Sequence, residues 1–443
     1  MRDSTLNITD YQYLHAFGQL FTPARLKRAV AARGTPTRER ILPLWLLLGL
    51  LIAWFWMPAD KLPWLLRWVR PARKKLPSDP AVYQARGRLG WSPLRWLRKH
   101  VLCALAQPHS DPTAFYHHRR LVGIDGTTFT VADTPANERS FGRANNQHRE
   151  GGYPLIRAAA LCELGTHALI DWIARSYHKS EVELAHRLLR RVPAGSLLLV
   201  DRNFHSFDLW QAATTGGFDL LVRVKKGPTF PIERVLADGS YLSRVRPRRG
   251  KKKADRAIVV RVILYSWTDA DAKEHQSRLL TSLLDATTEP AAELVELYHT
   301  RWEEELAFAE VKQQLSSRVT HIRAHDPLRA VAELEGLLLG HWVLRWVIVC
   351  AARRAGVAPV AVSLVGALRV LRTRLVGVPV GRGGWRSWWL AVLREIGGER
   401  LPERRKRQCP RVRKTTRSHW PVKKKHHKEG TIPTLKVVPV ASP

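Results

Sequence analysis

"GSLLLVDRNF", residues 195–204, is a short, continuous apolar run that stops abruptly at a carboxylate, Asp201. A run of this length without polar alternation suits a strand buried on both faces. Its surroundings agree. Upstream, "SEVELAHRLLRRV" (180–192) has the spacing of an amphipathic helix with Ser180 as a possible cap; downstream, a helix is predicted over 205–215 and a strand over 218–225. Strand and helix therefore alternate, which predicts an α/β domain.

Working outward, "RLVGIDGTTFTVAD" (120–133) reads as a strand, a tight Asp-Gly turn at Asp125 and Gly126, and a second strand with β-branched alternation. That pattern predicts a hairpin. Further strands are predicted at 153–164 and 167–177. Residues 228–285 change character, with strand-like pieces "AIVVRVILYSW" and "SRLLTSLL" around a basic loop, "RPRRGKKKADR", and read as a β-rich insertion. A helix follows over about 290–315, and an apolar one over about 327–352. Residues 1–105 read as helical: in "FTPARLKRAVAARG", Thr22 caps, Pro23 starts and Gly34 ends a helix, and "SPLRWLRKHVLCALA" starts at a Ser cap. The apolar stretch 41–58 reads as a buried helix, a single membrane span being the competing reading.

The chain has 443 residues, with 73 Lys and Arg against 38 Asp and Glu, a formal net charge of +35. Such an excess points to a polyanion, nucleic acid before an anionic membrane, because neutralising phosphates releases counterions. The basic segment 403–428 has little apolar periodicity and is expected to order only on DNA. Four scattered cysteines without a CxxC indicate neither a disulfide framework nor a zinc site, and a reducing cytoplasm fits. The N-terminus lacks the apolar run of a signal peptide.

A basic protein that performs phosphate chemistry needs carboxylates to hold divalent cations. Asp125 and Asp201 both close predicted strands. Asp133 is the rival of Asp125, although "ADTPAN" reads as turn chemistry, and Asp171, Asp208 and Asp219 have weaker settings. In "YHTRWEEELAFAEVK" (298–312), a uniform helix of 100° per residue puts Tyr298, Arg301, Glu305 and Lys312 within about 60° of arc. Glu303 and Glu304 then face away as solvated charge. The competing readings are a hairpin turn at Asp125, a solvated strand end at Asp201, and an ordinary ion pair between Arg301 and Glu305.

The spacing Tyr298, Arg301, Glu305, Lys312 resembles the Y-R-E-K signature of the insertion-sequence-4 family of bacterial DDE transposases. "IDGTTFTVADTPAN", "VDRNF" and "LYHTRWEEE" resemble the same family in the same order, and the likeness covers about residues 15–350. Asn203 stands where glycine is commoner. The resemblance implies a helical N-terminal domain over 1–110, a ribonuclease-H-like catalytic domain over 119–350, and a C-terminal helical segment and basic tail over 351–443. It implies that Asp125, Asp201 and Glu305 bind two Mg²⁺ or Mn²⁺ ions, and that Tyr298, Arg301 and Lys312 contact terminal phosphates. Trp267 is chosen as the insertion's aromatic that stacks on a flipped base. The implied reaction is cut-and-paste transposition: nicking at the element's ends, hairpin formation and strand transfer. The implied partners are double-stranded DNA (terminal inverted repeats and target) and a second copy in a synaptic homodimer, with no membrane, in the bacterial cytoplasm and its nucleoid. A nuclease on the same core without strand transfer is the alternative, followed by a silent DNA-binding protein and a membrane-associated one.

Overall fold

Thr22 begins the first helix as its chemistry dictates: its Oγ1 accepts the Arg25 N–H at 3.1 Å, and Pro23 occupies the first turn of α1 (Pro23–Ala31). The computed structural model describes residues 22–34, 42–56, 61–69, 77–146, 149–225, 227–247, 257–268, 274–316, 321–375, 384–402 and 435–437. The basic loop at 248–256 and the tail at 403–428 lie outside them. The chain divides into two units: Met1–Arg120, Ile124–Arg191 and Glu303–Leu401 form the first; Leu121–Gly123, Val192–Trp302 and Pro402–Pro443 form the second.

The first unit opens with helices α1, α2 (Leu44–Ala53), α3 (Leu62–Val69), α4 (Asp79–Leu89) and α5 (Ser92–Val101). Ser92 is the first helical residue of α5 and not its cap; Trp91 holds the cap position without a side-chain bond. Next come β1 (Phe115–Tyr116), β2 (Arg119–Thr130), α6 (Pro135–Phe141), β3 (Arg143–Asn146), β4 (Arg149–Glu163), β5 (Ala168–Ser176) and α7 (Glu181–Leu188). Strands β3 and β5 pair antiparallel with β4, while β2 neighbours β4 and carries β1. The expected hairpin at Asp125–Gly126 is absent, for β2 runs through both residues as one strand of 12 residues. "ADTPAN" is likewise more than a turn: Thr134 accepts the Asn137 N–H at 3.2 Å and caps α6.

The second unit contains β6 (Ser196–Val200), α8 (Phe207–Gly216), β7 (Asp219–Val224), β8 (Arg234–Val235), β9 (Tyr241–Val245), β10 (Ile258–Thr268), β11 (Glu274–Thr281) and α9 (Ala291–Tyr298). All five residues of β6 are buried, as the unbroken apolar run predicts, and β6 pairs parallel with β7 through the α8 crossover. The order runs β6-β7-β11-β10-β9-β8. The β-rich insertion therefore extends the β6–β7 pair, with Arg278 of β11 opposite Val224 of β7.

The chain returns to the first unit in α10 (Trp302–Ala309), then α11 (Pro327–Ala355), α12 (Leu364–Leu375) and α13 (Trp385–Gly398); β12 (Leu435–Val437) pairs with β10 in the second unit. Helix α11 starts where the Asp326 carboxylate accepts the Leu328 and Arg329 N–H groups, both at 3.1 Å, and stops at Gly356 in the left-handed region. It is long and apolar enough to cross a membrane, yet its most apolar 18-residue window is 100% buried inside the protein. It packs on α2, α5, α13 and β5. Each buried Leu, Ile, Val or Phe there contributes about 1.5–3 kcal/mol relative to exposure.

Charged and titratable residues of α11 meet partners in the protein. Glu333 binds Arg86 at 2.8 Å, Glu335 binds Arg98 at 3.1 Å, and Arg353 holds Asp111 at 2.6 Å. His341 and Arg345 both meet Glu310: His341 Nε2 lies 2.9 Å from its Oε2, and Arg345 Nε donates to the same atom at 2.8 Å. Burial holds His341 down at about 3, so it is neutral, and lowers Arg345 to about 9. Removing one partner of a buried pair strands the other charge. Arg345→Met is expected to lower unfolding stability by about 3–5 kcal/mol in a denaturant titration, and Arg345→Lys should recover little of it, because lysine lacks the planar fork.

Two glycines let α2 and α11 approach. A Cβ on Gly340 would stand 2.5 Å from the Ile52 carbonyl oxygen, and one on Gly336 would stand 3.0 Å from that of Leu51. Trp56 Nε1 donates to the Gly340 carbonyl at 2.9 Å. Alanine gains about 1 kcal/mol of helix propensity over glycine, while overpacking costs about 1–3 kcal/mol. Gly340→Ala is therefore expected to lower the melting temperature, and Gly336→Ala to change it much less.

His321 pins the end of β2. Its Nδ1 accepts the Thr130 N–H at 3.2 Å, and its own N–H donates to Thr130 Oγ1 at 2.9 Å. Desolvation, with Lys312 nearby, pushes its pKa from 6.5 down to about 4. The folded value lies below the unfolded one, so this contribution is present above pH 6.5 and is lost as pH falls through about 4. Melting temperatures measured across that interval should fall, and His321→Asn should flatten the slope.

Candidate active site

Asp125 follows four buried residues of β2, Leu121 to Ile124, and is itself half-buried. Its Oδ1 accepts the Gly126 N–H at 2.8 Å, which turns the carboxylate along the strand. Gly126 does not adopt a positive φ. What it supplies is room, since a Cβ there would overlap the Glu181 side chain at Cγ, Cδ and Oε1. Two residues beyond Asp125, Thr127 Oγ1 receives Lys312 Nζ at 3.2 Å. Burial lowers the Lys312 pKa from its ordinary value. Asp125, Lys312 and Glu305 all belong to the first unit, as does Asp133, which pairs with Arg143 and is exposed.

Asp201 belongs to the second unit and directly follows the buried strand β6. Tyr298, buried on α9, donates its hydroxyl to the carbonyl of Val200 at 3.3 Å, one residue before that aspartate. Desolvation raises the Tyr298 pKa well above 10; Arg301 opposes the rise and Asp201 adds to it. The phenol is neutral, and Tyr298, Arg301 and Asp201 share one electrostatic neighbourhood. The Arg301 guanidinium lies 5.6 Å from the ring centre of Trp302, which is 55% exposed. Trp267 on β10 is half-buried, stacks on His275 with ring centres 4.5 Å apart, and donates its indole N–H to Ser277 at 3.2 Å.

The signature segment is not one uniform helix. After α9 the chain makes a 3₁₀ turn at His299–Arg301, continues as α10, and widens into a π-helix at Glu310–Leu315. A 3₁₀ turn has 3.0 residues per turn, so three residues shift the face by about 60° relative to an α-helix. The uniform-helix angles beyond Tyr298 therefore shift together by about that amount. The reading of Glu303 and Glu304 as solvated does not hold: Glu304 is 0% exposed and joins Ala307, Phe308 and Val311 in the buried stripe. Glu303 meets His167 Nε2 at 2.7 Å, while His167 Nδ1 meets Glu310 at 2.8 Å. Glu305 remains half-exposed beside that stripe. The sequence signal for this buried network was the set of polar residues inside apolar helix 327–352, His341 and Arg345.

Among the described residues, no group of three or more His, Cys, Asp or Glu side chains is arranged to hold a metal ion. The donor chemistry still fits Mg²⁺ or Mn²⁺. Asp125 is a hard oxygen donor whose carboxylate is held by the Gly126 N–H. Mg²⁺ commonly takes only one or two protein carboxylates and completes its shell with water and substrate phosphate.

A family model described as "Transposase DDE domain" matches residues 116–342, a span that contains Asp125, Asp201 and Glu305. Transposase InsG for insertion sequence element IS4, from Escherichia coli (strain K12), is 29% identical over 413 residues, 90% of this chain and 91% of that protein. Putative transposase InsZ of the same organism is 36% identical over 133 residues, 29% of this chain and 43% of that protein. Among solved structures, the piggyBac transposase synaptic complex with hairpin DNA aligns with TM-score 0.38 and 12% identity over 88% of this chain and 80% of that chain. With the aspartate of β2, the aspartate after β6 and the glutamate of α10 all inside the matched span, the chain belongs to the DDE transposases, in the insertion-sequence-4 family.

Proposed function

We propose that this DDE transposase cuts and moves an insertion sequence by cleavage at its ends, hairpin formation and strand transfer, with Asp125, Asp201 and Glu305 as the carboxylates that hold Mg²⁺ or Mn²⁺. The observation that carries the assignment is the family match over 116–342. The tethering of neighbouring residues supports it: Tyr298 to the peptide before Asp201, and Lys312 to the strand of Asp125. We also propose that the catalytic fold is ribonuclease-H-like, supported by β2 being followed by the antiparallel pair β4–β5 and the parallel pair β6–β7.

When bound, two divalent ions would activate the attacking oxygen and stabilise the leaving one. The chain's own residues do the rest. Asp125 is held by the N–H of the next residue, and Asp201 follows a fully buried strand, so neither carboxylate is carried on a loose loop. Lys312 and Arg301 present positive charge for phosphate oxygens, Arg301 with the planar fork that suits them. Tyr298 stays protonated and serves as a donor. The excess charge of +35 supplies sequence-independent attraction to the DNA backbone, strongest at low salt.

Trp267, stacked on His275 through one face, is the aromatic this reading assigns to stacking on a base through its other face. A synaptic dimer on the two ends of the element is the assembly this reading needs.

On linear DNA carrying the element's ends, with Mg²⁺, Asp125→Asn, Asp201→Asn and Glu305→Gln are each expected to reduce cleavage and strand transfer by about a thousandfold or more, the scale of several kcal/mol of lost charge stabilisation. DNA binding should stay near wild type. Glu296→Gln, on an exposed position of α9, is the control and should remain active. Full activity of Glu305→Gln would remove the glutamate from the site.

A further inference from the structure

We infer that residues 435–437, paired as β12 on the outer part of β10, brace the ribbon that carries Trp267, and that formation of the DNA hairpin depends on this brace. The inference rests on the reading of Trp267 as the base-stacking aromatic and deepens it by naming what holds that ring in place.

The pairing registers show where the insertion lacks support. All the strands concerned lie in the second unit. Strand β9 pairs with β10 only over residues 258–262, and β7 pairs with β11 only over residues 278–281. Beyond those limits β10 and β11 continue together, with Tyr265 opposite Ser277, Trp267 opposite His275 and Thr268 opposite Glu274. A two-stranded ribbon is marginally stable in water, and a third strand makes it hold. β12 supplies that strand: Val437 pairs with Tyr265, Lys436 with Ser266 and Leu435 with Trp267. Its pairing lies beyond the last residue that β9 covers.

The setting of Trp267 depends on this ribbon. Its ring stacks on His275 across the strands, and its indole N–H donates to Ser277 Oγ at 3.2 Å, which also accepts from the Arg223 guanidinium at 3.2 Å. Both partners of the tryptophan are on β11, so loss of register loses both contacts. The brace also reaches inward. Tyr265 is buried in the electrostatic neighbourhood of Asp201 and Tyr298, and β12 packs against α9, which ends at Tyr298. In the sequence, "PTLKVVP" (433–439) sets a proline on each side of β12. Proline has no N–H to give a ladder, so the segment suits a short edge strand that invites no further pairing.

Hydrogen exchange of the full-length protein without DNA, read by mass spectrometry, tests the brace apart from catalysis. Successive N–H groups of a strand point to opposite sides, so Lys436→Pro combined with Val437→Pro removes a ladder donor whichever way β12 faces. Amides of 265–268 and 274–277 are expected to exchange about tenfold faster or more in that variant, and those of 258–262 to stay within about twofold of wild type. Deletion of 431–443 removes one cation, leaves the basic segment 403–428 in place and should do the same, whereas Ala441→Pro should not. On DNA carrying the element's ends, the ratio of DNA hairpin to nicked product should fall about tenfold in these two variants and in Trp267→Ala, the scale of a lost base–aromatic stack. Unchanged exchange in the ribbon would overturn the inference. So would faster exchange with normal DNA hairpin formation while Trp267→Ala fails, for the ring then acts without the brace. If Trp267→Ala also forms DNA hairpins normally, the reading of Trp267 falls and takes this one with it. Protection that rises with protein concentration would assign the strand to a second copy, against pairing within one chain.

Discussion

The carboxylate of Glu310 is the point on which the first unit turns. Arg345 and His341 reach it from α11, and His167 reaches it from the turn between β4 and β5, where the backbone sits at φ 58. A carboxylate so deep in an apolar interior is tolerated only while its partners remain. The cluster therefore fixes where the chain after α10 meets α11. Glu303, bound to the far nitrogen of His167, carries the same constraint back to the start of α10. Glu305 lies between these two anchored glutamates. Its position is set by a network that contains no residue of the family signature except through the helix it shares.

The π-helix at Glu310–Leu315 fits this picture. An added residue within a helical turn lets Glu310 point into the buried cluster while Lys312 reaches Thr127 on the strand of Asp125. A regular helix would hold the two at α-helical spacing. Such widened turns concentrate at functional sites because they re-aim side chains at a small cost in helix geometry. In the second unit the corresponding economy is the Tyr298 hydroxyl, which ties α9 to the end of β6 one residue before Asp201. Each unit thus anchors its part of the signature to the strand that bears its aspartate.

Much of this was legible in the sequence, and the failures have physical causes. The buried strand β6, the helix–strand alternation around it and the cap at Thr22 follow from local chemistry, and they appear as expected. The surroundings of the glutamates after Tyr298 did not follow, because burial there is set by tertiary packing that a local charge pattern does not show. Glu303 and Glu304 illustrate the result: three consecutive glutamates look like solvent-facing charge, yet one is wholly buried and one is bonded to a buried histidine. Nothing in the local pattern announces His167, since its partners lie 136 and 143 residues away.

Gly126 shows why a correct residue can be read for the wrong reason. Asp-Gly between two apolar runs is among the strongest short-range signals for a hairpin, because glycine adopts positive φ at no steric cost. The same residue has a second property, the absence of a side chain, and the two cannot be told apart from the sequence alone. Here the second is used. The strand passes straight through, the Asp125 carboxylate is held by the glycine's N–H, and the open face admits Glu181. A hairpin would have placed Asp125 at an exposed tip, where solvent screens its charge. A continuous strand places it at the edge of a buried run, where its charge is screened less by solvent.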